Sequence, residues 1–382
     1  MGVLNRKTGC KYMGMVFWTH AYNAELTISR AIESILNQTC GEFTYYCLDN
    51  GSTDGTWRVI REYAAKDGRI IPLHLKRNWD ADLFWIQIRK TIQRANKDGY
   101  FAYLDADDEY DANFLEKTLT FAKSNKLDMA VCGTKYIEAG GSVRYDSPAL
   151  TLVLQGADKA KYLPFYHKYV TRYWAILYSI KLLPEFFFTT SITPKNKRKT
   201  MRKDDRKKRP AAFYDVFLTL NAVYKSERVG VMRECLHSYY TGVSTQVSAL
   251  YTPNWFWWVN FSQQQLRGFV SNYGEISIDN ENYINTRFYI WLKHILARLQ
   301  NANAPLKVRL RDIRDIFQDE RTTALLALDW RATGIQTDKR DFLNEQLAWV
   351  RGQQGNHAVK LTARKLGHIL ECRINEAVSD KP

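Results

Sequence analysis

The chain has 382 residues, enough to bury one large core and a smaller second one. With 45% hydrophobic and 25% charged residues it has the composition of an ordinary soluble globular protein. Six scattered cysteines (Cys10, Cys40, Cys47, Cys132, Cys235, Cys372) show no paired zinc spacing and read as reduced thiols of a cytoplasmic protein. The start, Met1 to Tyr12, lacks the apolar segment of a secretory signal, and Tyr169 to Ile192 is too interrupted by Arg172, Lys181, Pro184 and Glu185 to span a bilayer.

In chain order, Gly14 to Trp18 is a short apolar strand. It is followed by the polar turn His20-Ala21-Tyr22-Asn23-Ala24-Glu25 and a helix from about Asn23. Ile28, Ala31, Ile32, Ile35 and Leu36 fall on one helical face. Asn23 is expected to cap that helix, and Tyr22 either packs or stacks on a planar ligand. Phe43 to Leu48 is a second strand, ending in Asp49-Asn50-Gly51-Ser52-Thr53-Asp54-Gly55, after which Trp57, Ile60 and Ala64 begin another helix. A strand at Ile70 to Leu75, a helix near Leu83 to Asn96 and a strand from Tyr100 to Leu104 continue the alternation. Asp105-Ala106-Asp107-Asp108 follows at once. A helix with Leu115, Thr118, Leu119 and Ala122, then a strand at Met129 to Cys132, complete the region. This rhythm predicts an α/β fold, a mostly parallel sheet with helices on both faces, whose ligands bind beyond the carboxyl ends of the strands. Carboxylates crowded at such an end repel one another unless a cation lies between them, so the aspartates suggest a magnesium or manganese ion shared with a diphosphate.

Beyond Gly140 the alternation is lost. Trp174 to Leu183 and Ala212 to Tyr224 read as helices and Val229 to Tyr240 as a strand returning to the sheet. From about Tyr251 the patterns are helical: Tyr283 to Leu299, Leu306 to Phe317, Asp341 to Val350 and Val359 to Ala377. An α/β domain over 1–250 and a helical domain over 251–382 are therefore expected. Net charge is +15, and Lys195 to Arg209 alone holds ten basic and two acidic residues, which predicts a mobile loop over about 193–210. That loop is either a solvated insertion or a contact for an anionic partner, including peripheral contact with an anionic membrane. No recognition module accompanies it, so nucleic acid is not the expected partner. The last helix sets Leu366, Ile369, Leu370 and Ile374 beside Lys360, Arg364, Lys365 and Arg373, a pattern that serves a bundle or a membrane surface. Trp255 to Trp258 similarly fit core packing, a sugar-stacking platform or a lipid interface.

The order Tyr22-Asn23-x-Glu25, Gln38-Thr39, Asp49 to Thr56 and Leu104 to Asp108 resembles the nucleotide-sugar half of family 2 glycosyltransferases, from about Met13 to Tyr136 and more weakly to Ser248. The resemblance implies a GT-A fold, Mn2+ or Mg2+, a nucleotide-sugar donor (a UDP-sugar) and inverting transfer to a glycan, lipid-linked or protein acceptor. It puts His20, Tyr22, Asp49 and Asn50 on the base side of the donor and Asp105 near ribose and metal. Asp107 becomes the metal ligand, and Asp108 an orienting group for the acceptor or for the metal's surroundings. Arg89 falls where a basic residue near the diphosphate is expected, or is a plain helix-surface arginine. Inverting transfer needs a general base. Asp215, in Phe213-Tyr214-Asp215-Val216-Phe217, fills that slot, with Asp204 and Asp205 as nearby competitors and helix capping as its bland role.

Three departures stand out. Asn50 replaces the second aspartate of the base-side pair, and His20 replaces the usual Pro or Thr. The family's Tyr-Arg is Tyr239-Tyr240-Thr241 here. His237 either packs in its strand or approaches the metal. Rival readings are a nucleotidyltransferase, disfavoured by the lack of a glycine-rich phosphate loop, and a degenerate basic adaptor domain, disfavoured by the intact aspartates.

Overall fold

The computed structural model describes residues 14–78, 92, 99–186, 214–241 and 255–379. Arg89, the helix expected near Leu83 to Asn96, Asp204, Asp205 and the basic loop lie outside the described residues. The chain divides into two compact units, the described residues up to Thr241 forming one and those from Trp255 the other.

The first unit is a ten-stranded sheet. Four parallel strands lead it: β1 (Met15–Ala21), β2 (Thr44–Asp49), β3 (Ile70–His74) and β4 (Tyr100–Asp105), in the order β3-β2-β1-β4. Helix α1 (Ile28–Leu36) buries Ile28, Ala31, Ile32 and Ile35 completely, as its 3.6-residue pattern requires, and α2 is Thr56–Lys66. After the short β5 (Glu109–Tyr110), α3 (Phe114–Asn125) buries Leu115, Thr118, Leu119 and Ala122. The strand expected at Met129 to Cys132 extends to Ile137 as β6, which carries β7 (Val143–Asp146) on its edge, and β8 is Leu152–Gln155.

The helix expected at Trp174 to Leu183 is not formed. Ile176–Ser179 is instead a strand, β9, antiparallel to both β4 and β6, followed by a 3-10 turn over Ile180–Phe186. Its fully buried Ile176, Leu177 and Tyr178 fill a slot between two strands, and ladder pairing there overrides a local pattern that is ambiguous in so short an apolar run. Helix α4 (Tyr214–Lys225) then leads into β10 (Arg228–Tyr240), parallel to β6 and interrupted by register shifts on either side of Cys235. This is the α/β architecture expected from the sequence, a set of parallel strands to which β5, β7, β8 and β9 are joined antiparallel.

The second unit is helical: α5 (Trp255–Ser271), α6 (Ile278–Asn301), α7 (Leu306–Gln318), α8 (Glu320–Ala327), α9 (Lys339–Arg351) and α10 (His357–Ser379). Leu292, Leu310, Phe317, Leu343, Leu366 and Leu370 sit at its centre. Ile369 and Ile374 pack against that core, so the apolar stripe of α10 is a bundle face rather than a membrane face. Phe256 also packs on it. Among the described residues, no helix is long and apolar enough to cross a membrane. Cys47, Cys132, Cys235 and Cys372 are free, but Cys40 is disulfide-bonded, which departs from the all-reduced expectation.

Candidate functional site

Parallel registry aligns the strand ends. Ala21 lies opposite Asp49, Asp49 opposite His74 and His20 opposite Asp105, so four chemically active residues share one edge. Asp49 is fully buried; its Oδ2 meets His74 Nδ1 at 2.7 Å and its Oδ1 accepts the Ser52 N–H at 3.1 Å. His74 in turn stacks on Trp57 at 4.8 Å. Burial lowers the His20 imidazole to about 4 against the opposing pull of Asp49, which keeps it neutral at physiological pH. Buried Asn50 donates from Nδ2 to Asn78 Oδ1 at 2.8 Å. Tyr22 stays 44% exposed, leaving its ring available for stacking.

The two polar turns brace one another. Asn23 adopts φ 49° and its Oδ1 accepts the Thr53 N–H at 2.9 Å, so it does not cap α1 as expected. Glu25 accepts the Gly55 N–H at 2.9 Å and pairs with Arg58 at 3.1 Å. A Cβ at Gly55 would fall 2.0 Å from the Glu25 carboxylate, and Gly51 (φ +74°) leaves 2.3 Å to the Arg77 backbone. These contacts account for both glycines of the second turn.

Gln38 is a brace as well. Its side chain is 5% exposed, donates to the Ser34 and Asp111 carbonyls (2.9 and 2.8 Å) and accepts the Leu115 N–H at 2.8 Å. It thereby ties the end of α1 to the turn after the aspartates and satisfies an otherwise orphaned donor at the start of α3. Gln38→Ala should cost about 2–4 kcal/mol in urea unfolding, the scale of several buried hydrogen bonds, while nucleotide affinity of the folded fraction holds.

The aspartates end β4. Asp105 meets the Tyr173 hydroxyl at 3.5 Å, and Asp108 Oδ1 accepts the Tyr240 N–H at 3.1 Å. Arg30 donates to the Asp107 carbonyl, pairs with Glu109 at 3.6 Å and lies 3.6 Å over the Tyr240 ring. Strand β10 brings fully buried His237 to 3.3 Å from fully buried Asp108 Oδ2. That is ion-pair distance without hydrogen-bond alignment: among the described residues neither Asp108 Oδ2 nor either His237 nitrogen has a hydrogen-bond partner. Trp174 stacks on His237 at 4.4 Å, and Arg172 lies 4.5 Å over Trp174.

Burial and mutual repulsion raise Asp105 and Asp108 well above the carboxylate range, and burial raises Asp107. Burial and Arg172 hold His237 far below its ordinary value, so it is a neutral imidazole. Crowded carboxylates beside a neutral imidazole with unspent lone pairs fit a hard divalent cation in donor type. Among the described residues no three such groups converge on one point. The protein therefore offers a partial shell. In the metal-free protein the raised carboxylates make the fold less stable as pH rises above their unfolded value of 3.8, whereas His20 and His237 withdraw stability as pH falls below 6.5.

The sequence-predicted His20, Asp49, Asn50, Asp105, Asp107 and Asp108 all belong to this strand edge. Asp215 lies in the first turn of α4, and its side chain is outside the described residues. Arg30, His74 and Arg172 were missed. His74 was findable, since it ends a strand at the same edge as Asp49 and Asp105. Arg30 and Arg172 carry no local signal, because only the folded chain brings them to the aspartates.

Residues 19–181 match the model of Glycosyl transferase family 2. Over 139 residues the chain is 32% identical to the putative teichuronic acid biosynthesis glycosyltransferase TuaG of Bacillus subtilis (strain 168), covering 34% of this chain and 54% of that one. Over 107 residues it is 32% identical to the Escherichia coli UDP-Glc:alpha-D-GlcNAc-diphosphoundecaprenol beta-1,3-glucosyltransferase WfaP, covering 28% and 40%. The chain thus spans about half the length of the curated relatives it matches. S. aureus TarS 1–349 in complex with UDP-GlcNAc superposes with a TM-score of 0.46 at 14% identity, over 96% of this chain and 89% of that one. Over residues 19–181 the chain is therefore similar to family 2 glycosyl transferases.

Proposed function

We propose that the chain is a metal-dependent inverting glycosyltransferase that moves a sugar from a UDP-sugar to a hydroxyl of an envelope polysaccharide, lipid-linked glycan or glycoprotein. The carrying observation is the strand edge that carries Asp105, Asp107 and Asp108, with neutral His237 set against Asp108. Asp107 would hold Mn2+ or Mg2+, with Asp108 and His237 beside it, and the ion would neutralise charge developing on the departing diphosphate. Tyr22 would stack on the base and Asp49 and Asn50 would meet its polar edge. The donating nitrogen of Asn50 already has Asn78 as acceptor, which supports a base that offers an N–H, as uracil does. The UDP-Glc named for the E. coli relative agrees with that choice. Asp215, in the first turn of α4, would take the acceptor proton as the hydroxyl attacks the anomeric carbon.

The test is a turnover assay with UDP-glucose, UDP-N-acetylglucosamine and GDP-mannose, with and without Mn2+, the product's anomeric configuration being read by NMR. Inverted product from a UDP-sugar, only with metal, is expected; retained configuration or full metal-free turnover would remove the mechanism. Because the raised carboxylates must lose protons to bind an ion, Mn2+ affinity should fall at least about tenfold between pH 8 and pH 5, read by calorimetry.

A further inference from the structure

The helical unit contains a cavity of about 280 Å³, lined by α5, α6 and α8, at the small end of ligand pockets. Its chemistry differs from the aliphatic core described above. Arg267 forms a two-pronged ion pair with Glu281, whose carboxyl it holds below the usual range. A second guanidinium, Arg321, also lines the cavity, and its side chain donates to the Asn260 carbonyl at 2.6 Å. Among the described residues no carboxylate lies within ion-pair distance of it. The neighbouring acid, Asp319, is committed elsewhere: its oxygens accept the Arg321 N–H at 2.9 Å, the Thr322 N–H at 3.4 Å and the Asn260 amide at 3.1 Å. Burial pulls Arg321 below its ordinary range; the Asp319 charge opposes that pull and the nearby Arg267 adds to it.

Gln263 supplies an independent observation. It lines the same cavity, is only 5% exposed, and its Oε1 has no hydrogen-bond partner among the described residues. A buried amide oxygen without a donor, beside a guanidinium with N–H groups to spare, is the pattern of a site completed by a ligand. The guanidinium fork matches phosphate geometry, and a hydroxyl of the ligand, on a sugar or on a protonated phosphate, can donate to Gln263 Oε1. Phe288, Leu325 and Leu328 give the cavity an apolar wall that can take the carbon face of a sugar.

We propose that this cavity binds a phosphate-bearing small ligand, with Arg321 as its charged contact and Gln263 as its polar one. The site lies wholly within the helical unit and does not depend on the transferase reading. Calorimetric titration of the full chain carrying Asp107→Ala, without added metal, separates it from the proposed donor pocket. Glucose 1-phosphate and inorganic phosphate are the two probes. Binding is expected to weaken at least tenfold in Arg321→Ala and severalfold in Gln263→Leu, with Arg321→Lys intermediate, each variant being checked for its fold by circular dichroism. Tighter binding of glucose 1-phosphate assigns the cavity to a phosphorylated sugar, and equal binding assigns it to free phosphate. Absence of binding by both probes, or unchanged affinity in the folded Arg321 and Gln263 variants, overturns the proposal.

Discussion

Asp107→Ala is expected to lower turnover about 10³-fold or more and to abolish the response to Mn2+. The reason is electrostatic. Asp107 is the member of the aspartate trio whose carboxyl is raised by burial alone, while Asp105 and Asp108 are raised by burial and by their neighbours, Asp107 among them. Removing its charge takes away the proposed anchor of the ion. It also relieves repulsion on the other two. The metal-free variant should therefore melt at the same temperature as the parent or above it, while losing the metal-dependent shift with nucleotide. Lost activity with equal or higher stability separates a functional role from a packing role. A drop in melting temperature with activity retained would make Asp107 structural.

Asp215→Asn is expected to lower kcat by 10² to 10⁴, the usual contribution of a positioned general base, with donor binding unchanged. Asparagine keeps the shape of the side chain, so fold and nucleotide shift should survive. The acid limb of the parent's pH–rate profile should vanish in the variant. Equal loss in donor affinity and kcat would instead place Asp215 in the donor pocket.

Much of this site was legible before the fold was known, because strand ends in a parallel sheet are marked by apolar runs that break abruptly into polar turns. Asp49 and Asp105 follow such runs directly, and Gly51 marks a turn whose positive φ and close backbone leave no room for a side chain. Several things were not legible. Gln38 and Glu25 belong to the recurring motif, yet in the fold they are braces whose partners lie 30 to 77 residues away. Asn23 resembled a helix cap, but its partner is Thr53 in another turn. His237 resembled a packed strand histidine, and it is packed. The register shifts around Cys235 break the strand's alternation, so no periodicity could set it against Asp108. The strand at Ile176–Ser179 was hidden for a related reason: an apolar run this short fits either period, and neighbouring strands decide.

The most direct test of a metal-dependent nucleotide-sugar site at this strand edge is the thermal shift of the parent and of Asp107→Ala with UDP, GDP, CDP and dTDP, each with and without Mn2+. A stabilisation selective for UDP, present only with Mn2+ and absent in Asp107→Ala, is the predicted result. A shift independent of Mn2+, or retained in Asp107→Ala, would contradict the metal assignment, and no shift with any nucleotide would contradict the donor site itself.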